Sequence, residues 1–284
     1  MKTPIDHAVG GRFRLLFAYD GTDFVGWAKQ PGLRTVEGEL LIALLRVLGD
    51  DAHHFGLRVA GRTDAGVHAD AQQAHIDLTP AQMKRIAKGN VVGRLNSMLP
   101  SDIHVYSFEP APAGFDARFS AISRRYIYRI ADDKSVKNPR LSRYALYVGG
   151  ILDVSAMHKA AQKLLGLNDF ASFCKSREGA TTIRNLKKIS VRRSGEAGQI
   201  EVELLADAFC HNMVRSIVGA LLTVGAGKAT PDDVEAALKR AKRGPGFKTV
   251  EPHGLTLIEI GYPADSKLAA QAEKARNMRS LDEI

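Results

Sequence analysis

FGLRVAGRTDAGVHADAQQAHIDLT, residues 55–79, holds two strand patterns with no helix between them. In FGLRVAGR (55–62) and AQQAHIDLT (71–79) apolar residues alternate with polar ones, the period of a strand with one buried face. Upstream, RFRLLFAYDG (12–21) reads as a strand and TVEGELLIALLRVL (35–48) as a helix ended by Gly49. Downstream, a helix is expected within AQMKRIAKGNVVGRLNSML (81–99), with Thr79 as N-cap and Pro80 at its first position, and then a strand, IHVYSFEP (103–110). The order β-α-β-β-α-β is the split β-α-β, or ferredoxin-like, arrangement: an antiparallel sheet against two helices, with one sheet face open to a ligand.

A comparable α/β unit follows the loop APAGFDARFSAIS (111–123). RRYIYRIA (124–131) is a strand, DVSAMHKAAQKLL (153–165) a helix with Met157, Ala161, Leu164 and Leu165 on one face, and IRNLKKISVRRS (183–194) with QIEVELLAD (199–207) a hairpin. Helices from His211 to Val224 and from Pro231 to Lys242, then the strand GLTLIEIGY (254–262), complete it. The expected organisation is a flexible leader (1–11), an N-terminal half (12–111), a C-terminal half (112–263) and a polar tail (264–284), with a groove between the halves.

The 284 residues carry 40 Lys and Arg against 31 Asp and Glu, a formal charge of +9 that suits a polyanionic partner such as RNA. No stretch has the apolar length of a transmembrane helix and MKTPIDHAVGG lacks a signal-peptide centre, so a cytoplasmic protein is expected. Cys174 and Cys210 stand in no metal-ligand spacing and are expected to be reduced and packed.

Three constellations bear on chemistry. In GRTDAGVH (61–68) a single carboxylate, Asp64, sits on a loop between Gly61 and Gly66, with Arg62 and His68 beside it. In RRYIYR (124–129) the strand period puts Arg124, Tyr126 and Tyr128 on one face, where aromatic rings bordered by cations suit base stacking and phosphate contact. In FCHNMVRSIVG (209–219) helical spacing puts His211, Arg215 and Gly219 on one face, which lets another backbone come close to the arginine.

YDGTDFVGW (19–27), AGRTDAGVHA (60–69), FDARFSA (115–121), RRYIY (124–128), FCHNMVRSIVG (209–219) and PHGLTL (252–257) resemble, in order, the signatures of the TruA family of tRNA pseudouridine synthases. The resemblance spans nearly the whole chain. It implies two α/β halves, ferredoxin-like in ancestry, around a central mixed and largely antiparallel sheet with a basic cleft. It implies an intramolecular isomerase that needs no cofactor or metal, works as a homodimer and converts uridines 38–40 of the tRNA anticodon stem-loop to pseudouridine. Carried over by position, Asp64 is the catalytic aspartate, Arg62 the base-flipping arginine, Tyr126 the active-site tyrosine and Arg215 the ion-pair partner of Asp64. His68 and Arg124 join Arg62 and Tyr126 as expected RNA contacts, and Gly61 and Gly66 let the loop approach RNA. Asp116 is read as structural. Ala28, Asn212 and Glu251 depart from the family's usual residues.

A lone carboxylate suffices for this reaction, which gains and loses no atoms, whereas glycoside hydrolysis normally takes two carboxyl groups and a water. A binding protein without chemistry is the rival reading; it explains the charge and Tyr126 but gives an acidic group in a polyanion site no purpose. A metal-dependent nuclease would gather several carboxylates, and only Asp70 lies near Asp64 in sequence.

Overall fold

The computed structural model describes residues 10–49, 56–87, 89–175, 181–194, 197–242, 244 and 247–276. They fall into two units, one holding the chain up to Ala121 together with Tyr262–Ala275, the other Ile122–Gly261.

The first unit opens with strand β1 (Gly11–Tyr19), which buries Phe13, Leu15, Phe17 and Tyr19 at alternate positions. Helix α1 (Val36–Leu48) starts where the Thr35 side chain accepts from Gly38 N and stops at Gly49. Strands β2 (Arg58–Val59) and β3 (His68–Leu78) follow, then α2 (Pro80–Ile86), α3 (Val91–Met98) and β4 (Ile103–Pro110). β1 pairs with β3 and β4, and β2 with β3, all antiparallel. The resulting order β4-β1-β3-β2 is the ferredoxin-like one expected from the sequence.

Two expectations change here. The single helix within 81–99 is two helices, because Asn90 takes an extended conformation and its side chain accepts from Gly93 N, starting α3 afresh. The strand expected over 55–62 is only Arg58–Val59 within the described residues; beyond it Ala60 still donates to Gln73 O, and the chain then leaves the sheet to form the loop around Asp64.

The segment after β4 packs through partly buried polar contacts. Arg12 grips Asp77 with two nitrogens (2.7 and 2.9 Å) and donates to Phe115 O at 2.7 Å. Asp116 accepts from Arg118 N and Phe119 N and pairs with Arg58 at 2.9 Å, so it bridges structure as expected. His75 is buried, and its Nδ1 accepts from Ala117 N at 2.9 Å, which leaves the ring proton on Nε2. Burial, followed by the Arg12 charge, pushes the His75 pKa down to about 4 despite the opposing Asp116 and Asp77 carboxylates.

This shift has a sign that can be measured. Unfolded His75 binds a proton below about 6.5 and folded His75 only below about 4, so stability falls as pH drops through that window. At 1.36 kcal/mol per pH unit the ceiling is about 3 kcal/mol. Urea unfolding at pH 7 and pH 4.5 is expected to show the loss. His75→Asn, which keeps an acceptor for Ala117 N but cannot titrate, is expected to show a smaller difference between the two pH values.

The second unit comprises β5 (Ser123–Ala131), β6 (Leu146–Tyr147), α4 (Val154–Gln162), β7 (Gly166–Asp169), β8 (Ile183–Ser194), β9 (Gln199–Ala206), α5 (Met213–Gly225), α6 (Pro231–Arg240) and β10 (Leu255–Gly261). Its antiparallel strands run β10-β5-β9-β8-β7, with β6 parallel to the end of β5. The short strands β6 and β7 are too brief to show a period in sequence. Asp132, whose side chain is fully buried, is gripped by Arg193 at 2.7 and 2.8 Å; that bond holds its pKa far below the usual carboxylate range.

From the expected polar tail, helix α7 (Leu268–Lys274) belongs to the first unit and buries Leu268 and Ala272, while Tyr262 donates to Ala117 O. Among the described residues no helix is long and apolar enough to cross a membrane, and no group of three or more His, Cys, Asp or Glu is placed to hold a metal ion.

Candidate active site

Asp64 sits half-buried on the loop between β2 and β3, and the backbone around it is fixed from several directions. The stretch after β1 supplies one side: Trp27 N donates to Thr63 O (3.1 Å), and Gly66 N donates to Phe24 O (3.2 Å). Within the loop Val67 N donates to Asp64 O at 3.2 Å, closing a turn whose Gly66 has φ of 75°, a left-handed conformation that favours glycine. The motif's second glycine is thus a requirement of the turn itself. Arg62 is exposed beside it.

Side chains complete the support. Tyr19 OH lies 2.8 Å from Thr63 Oγ1 in a buried contact, and Gln72 donates to Gly61 O at 2.8 Å. His68, expected to face RNA, is instead 1% exposed, and its Nδ1 accepts from Gly21 N at 3.0 Å. That bond ties the turn after β1 to the start of β3, so the histidine serves the loop's shape.

In the second unit β5 alternates as expected: Tyr126, Tyr128 and Ile130 are buried, while Arg125 and Arg129 occupy the other face beside Glu203, Glu259 and Glu201. The Tyr126 ring meets Phe209 edge-on with centroids 5.1 Å apart. Arg124 donates to Asp207 O at 2.7 Å, which anchors the segment leading from β9 to α5. Tyr128 donates to Glu251 O at 2.7 Å, so the departure at Glu251 contributes a main-chain carbonyl there.

Arg215 lies in the first turn of α5. Its Nε donates to Val250 O at 2.8 Å, and Nη1 reaches Asn212 Oδ1 at 3.4 Å. The backbone approach anticipated for this helix face is real. A Cβ on Gly219 would stand 1.8 Å from Lys248 O, so the segment before β10 crosses α5 where glycine admits it. Asn212, with φ of 66°, takes the left-handed conformation that asparagine tolerates better than most residues. His211 precedes the helix and is exposed.

Cys174 and Cys210, far apart in sequence, are brought together, with Cα atoms 5.8 Å apart, where Lys175 N donates to His211 O at 2.9 Å. The 36-residue separation concealed that these segments abut. Sequence reasoning also passed over Tyr19, Thr63, Gln72 and Phe209 as site residues. The signal for Gln72 was a polar residue on a strand where the alternation leaves it facing the core.

A model of the tRNA pseudouridine synthase family matches residues 160–263, from the end of α4 through β10. Along nearly the whole chain the similarity narrows. A Streptomyces avermitilis protein named tRNA pseudouridine synthase A is 51% identical over 271 residues, covering 95% of this chain and 94% of the relative. Proteins of the same name from Leifsonia xyli (47%, covering 95% of this chain and 98% of the relative) and Cutibacterium acnes (46%, covering 96% of each) match alike. The chain belongs to the tRNA pseudouridine synthase A family.

Proposed function

We propose that the protein isomerises uridines 38–40 in the tRNA anticodon stem-loop to pseudouridine, with Asp64 as the reacting carboxylate. The observation that carries this reading is the fixed loop around Asp64: a single half-buried carboxylate on a backbone held by Phe24, Trp27 and Gln72, with exposed Arg62 beside it.

The chemistry breaks the bond from uracil N1 to ribose C1′, turns the retained base and bonds C5 to the same carbon, after which the C5 proton leaves and a proton is taken up at N1. Asp64 acts either as a nucleophile at C1′, forming an ester that the turned base displaces, or as a base that removes the C2′ proton to give a glycal. Both routes need an ionised carboxylate, and Arg215 is the cation we assign to it. A stacked uridine is beyond reach, and extruding it costs a few kcal/mol. Arg62 fills the vacated space, Tyr126 packs against the extruded uracil, and Arg124 contributes positive charge for phosphate. The expected assembly is a cytoplasmic homodimer.

The test uses an unmodified tRNA transcript with tritium at C5 of uridine, followed by position-by-position mapping of pseudouridine. Tritium release with product confined to the 3′ side of the anticodon stem-loop is expected. Product elsewhere in the tRNA overturns the site assignment, and no release despite tight binding supports a binding protein instead.

A further inference from the structure

The loop that carries Asp64 is held by a directional chain of buried polar side chains that the reaction, as described, does not use. Gln72 is fully buried on β3. Its Oε1 accepts from Gln73 N at 3.2 Å, which fixes the orientation of the amide and makes Nε2 the donor on the other side. That nitrogen donates to Gly61 O at 2.8 Å and to Tyr19 OH at 3.3 Å. Having accepted the amide proton, the Tyr19 oxygen turns its own proton toward Thr63 Oγ1, 2.8 Å away. The order is Gln72 to Tyr19 to Thr63.

Gly61 and Thr63 flank Arg62, and Thr63 adjoins Asp64. Both backbone neighbours of the exposed arginine are therefore tied, one by its carbonyl and one by its side chain, to residues of the sheet. Tyr19 and Thr63 are buried like Gln72, so none of the three is available for extended contact with RNA. Burial pushes the Tyr19 phenol up to about 12, against the opposing effect of its hydrogen-bond contacts with Thr63 and Gln72, so the hydroxyl keeps its proton at neutral pH.

We propose that Gln72, Tyr19 and Thr63 are positioning residues for the isomerisation, acting through the backbone of residues 61–64 to hold Arg62 and Asp64 in reactive geometry. This rests on the reading of Asp64 as the reacting carboxylate. A misplacement of about 1 Å in a reacting group costs on the order of 100-fold in rate, while tRNA affinity, dominated by phosphate contacts, does not depend on it.

The experiment compares Thr63→Val, Thr63→Ser and Tyr19→Phe with wild type and with Asp64→Asn. It measures single-turnover tritium release at saturating enzyme, tRNA affinity by filter binding, and thermal unfolding. Thr63→Val and Tyr19→Phe are expected to slow the chemical step by about 10- to 100-fold with affinity unchanged. Thr63→Ser, which keeps the hydroxyl, is expected to restore most of the rate.

Wild-type rates in Thr63→Val and Tyr19→Phe, with Asp64→Asn inactive, overturn the positioning role and leave the catalytic reading intact. Equal losses in Thr63→Val and Thr63→Ser also overturn it, since packing rather than the hydroxyl would then be responsible. A fully active Asp64→Asn removes the catalytic reading and this proposal with it. The Thr63 pair decides the question even if Tyr19→Phe fails to fold.

Discussion

Asp64→Asn is expected to lower tritium release by at least about four orders of magnitude, the scale on which removing a reacting group acts. The amide has the size of the carboxylate but can neither attack C1′ nor remove the C2′ proton. Folding should be little affected, because the neighbouring backbone contacts, from Trp27 N to Thr63 O and from Gly66 N to Phe24 O, do not involve the carboxylate. Binding should persist or tighten, since the change removes a negative charge from a protein of formal charge +9 that faces a polyanion. Measuring release and affinity on the same samples separates the two readings. Retained release in the variant would sink the catalytic assignment, whereas lost release together with lost binding would mean that Asp64 shapes the RNA surface.

The order of elements in the first unit was legible because strands and helices of that length carry clear periods, and because Thr79 with Pro80 and Thr35 with Gly38 mark helix starts. What escaped depended on through-space contacts or on elements too short for a period. Gly89 and Asn90 in AKGNVVG form a helix-weakening and N-capping pair, but the apolar spacing runs on through them and masks the start of a second helix at Asn90. The Asp64 loop was visible as a loop with a carboxylate, but its supports lie at positions 19, 24, 27 and 72, and only folding brings these together. His68 shows the same limit: a histidine in a glycine loop reads as a ligand contact until Gly21 N is found donating to it. Asn212 stood out as a departure, and its left-handed backbone with an oxygen facing Arg215 supplies a local role for it.

Gly21→Ala is expected to cost about 1–3 kcal/mol of stability, as overpacking does, and to reduce turnover by on the order of 100-fold. A Cβ there would stand 2.0 Å from Val67 O, 2.5 Å from Val67 C and 3.1 Å from His68 N. All three are backbone atoms, so no side-chain rotation relieves the clash. Either the turn after β1 lifts away, weakening the bond from Gly21 N to His68, or the loop moves and takes Asp64 with it. Gly61→Ala makes the contrast: no heavy atom lies within 4 Å of a Cβ at Gly61, and its backbone is not left-handed, so this variant should fold like wild type. The sequence assigned Gly61 and Gly66 together to close approach of RNA, but the turn alone accounts for Gly66. Gly61 is therefore the glycine at which that idea can be tested: a Gly61→Ala protein with normal unfolding and weakened tRNA affinity would show that the open space is used by RNA. Wild-type affinity in Gly61→Ala, alongside a slow Gly21→Ala, would place the glycine requirement at Gly66 and Gly21, in the construction of the loop.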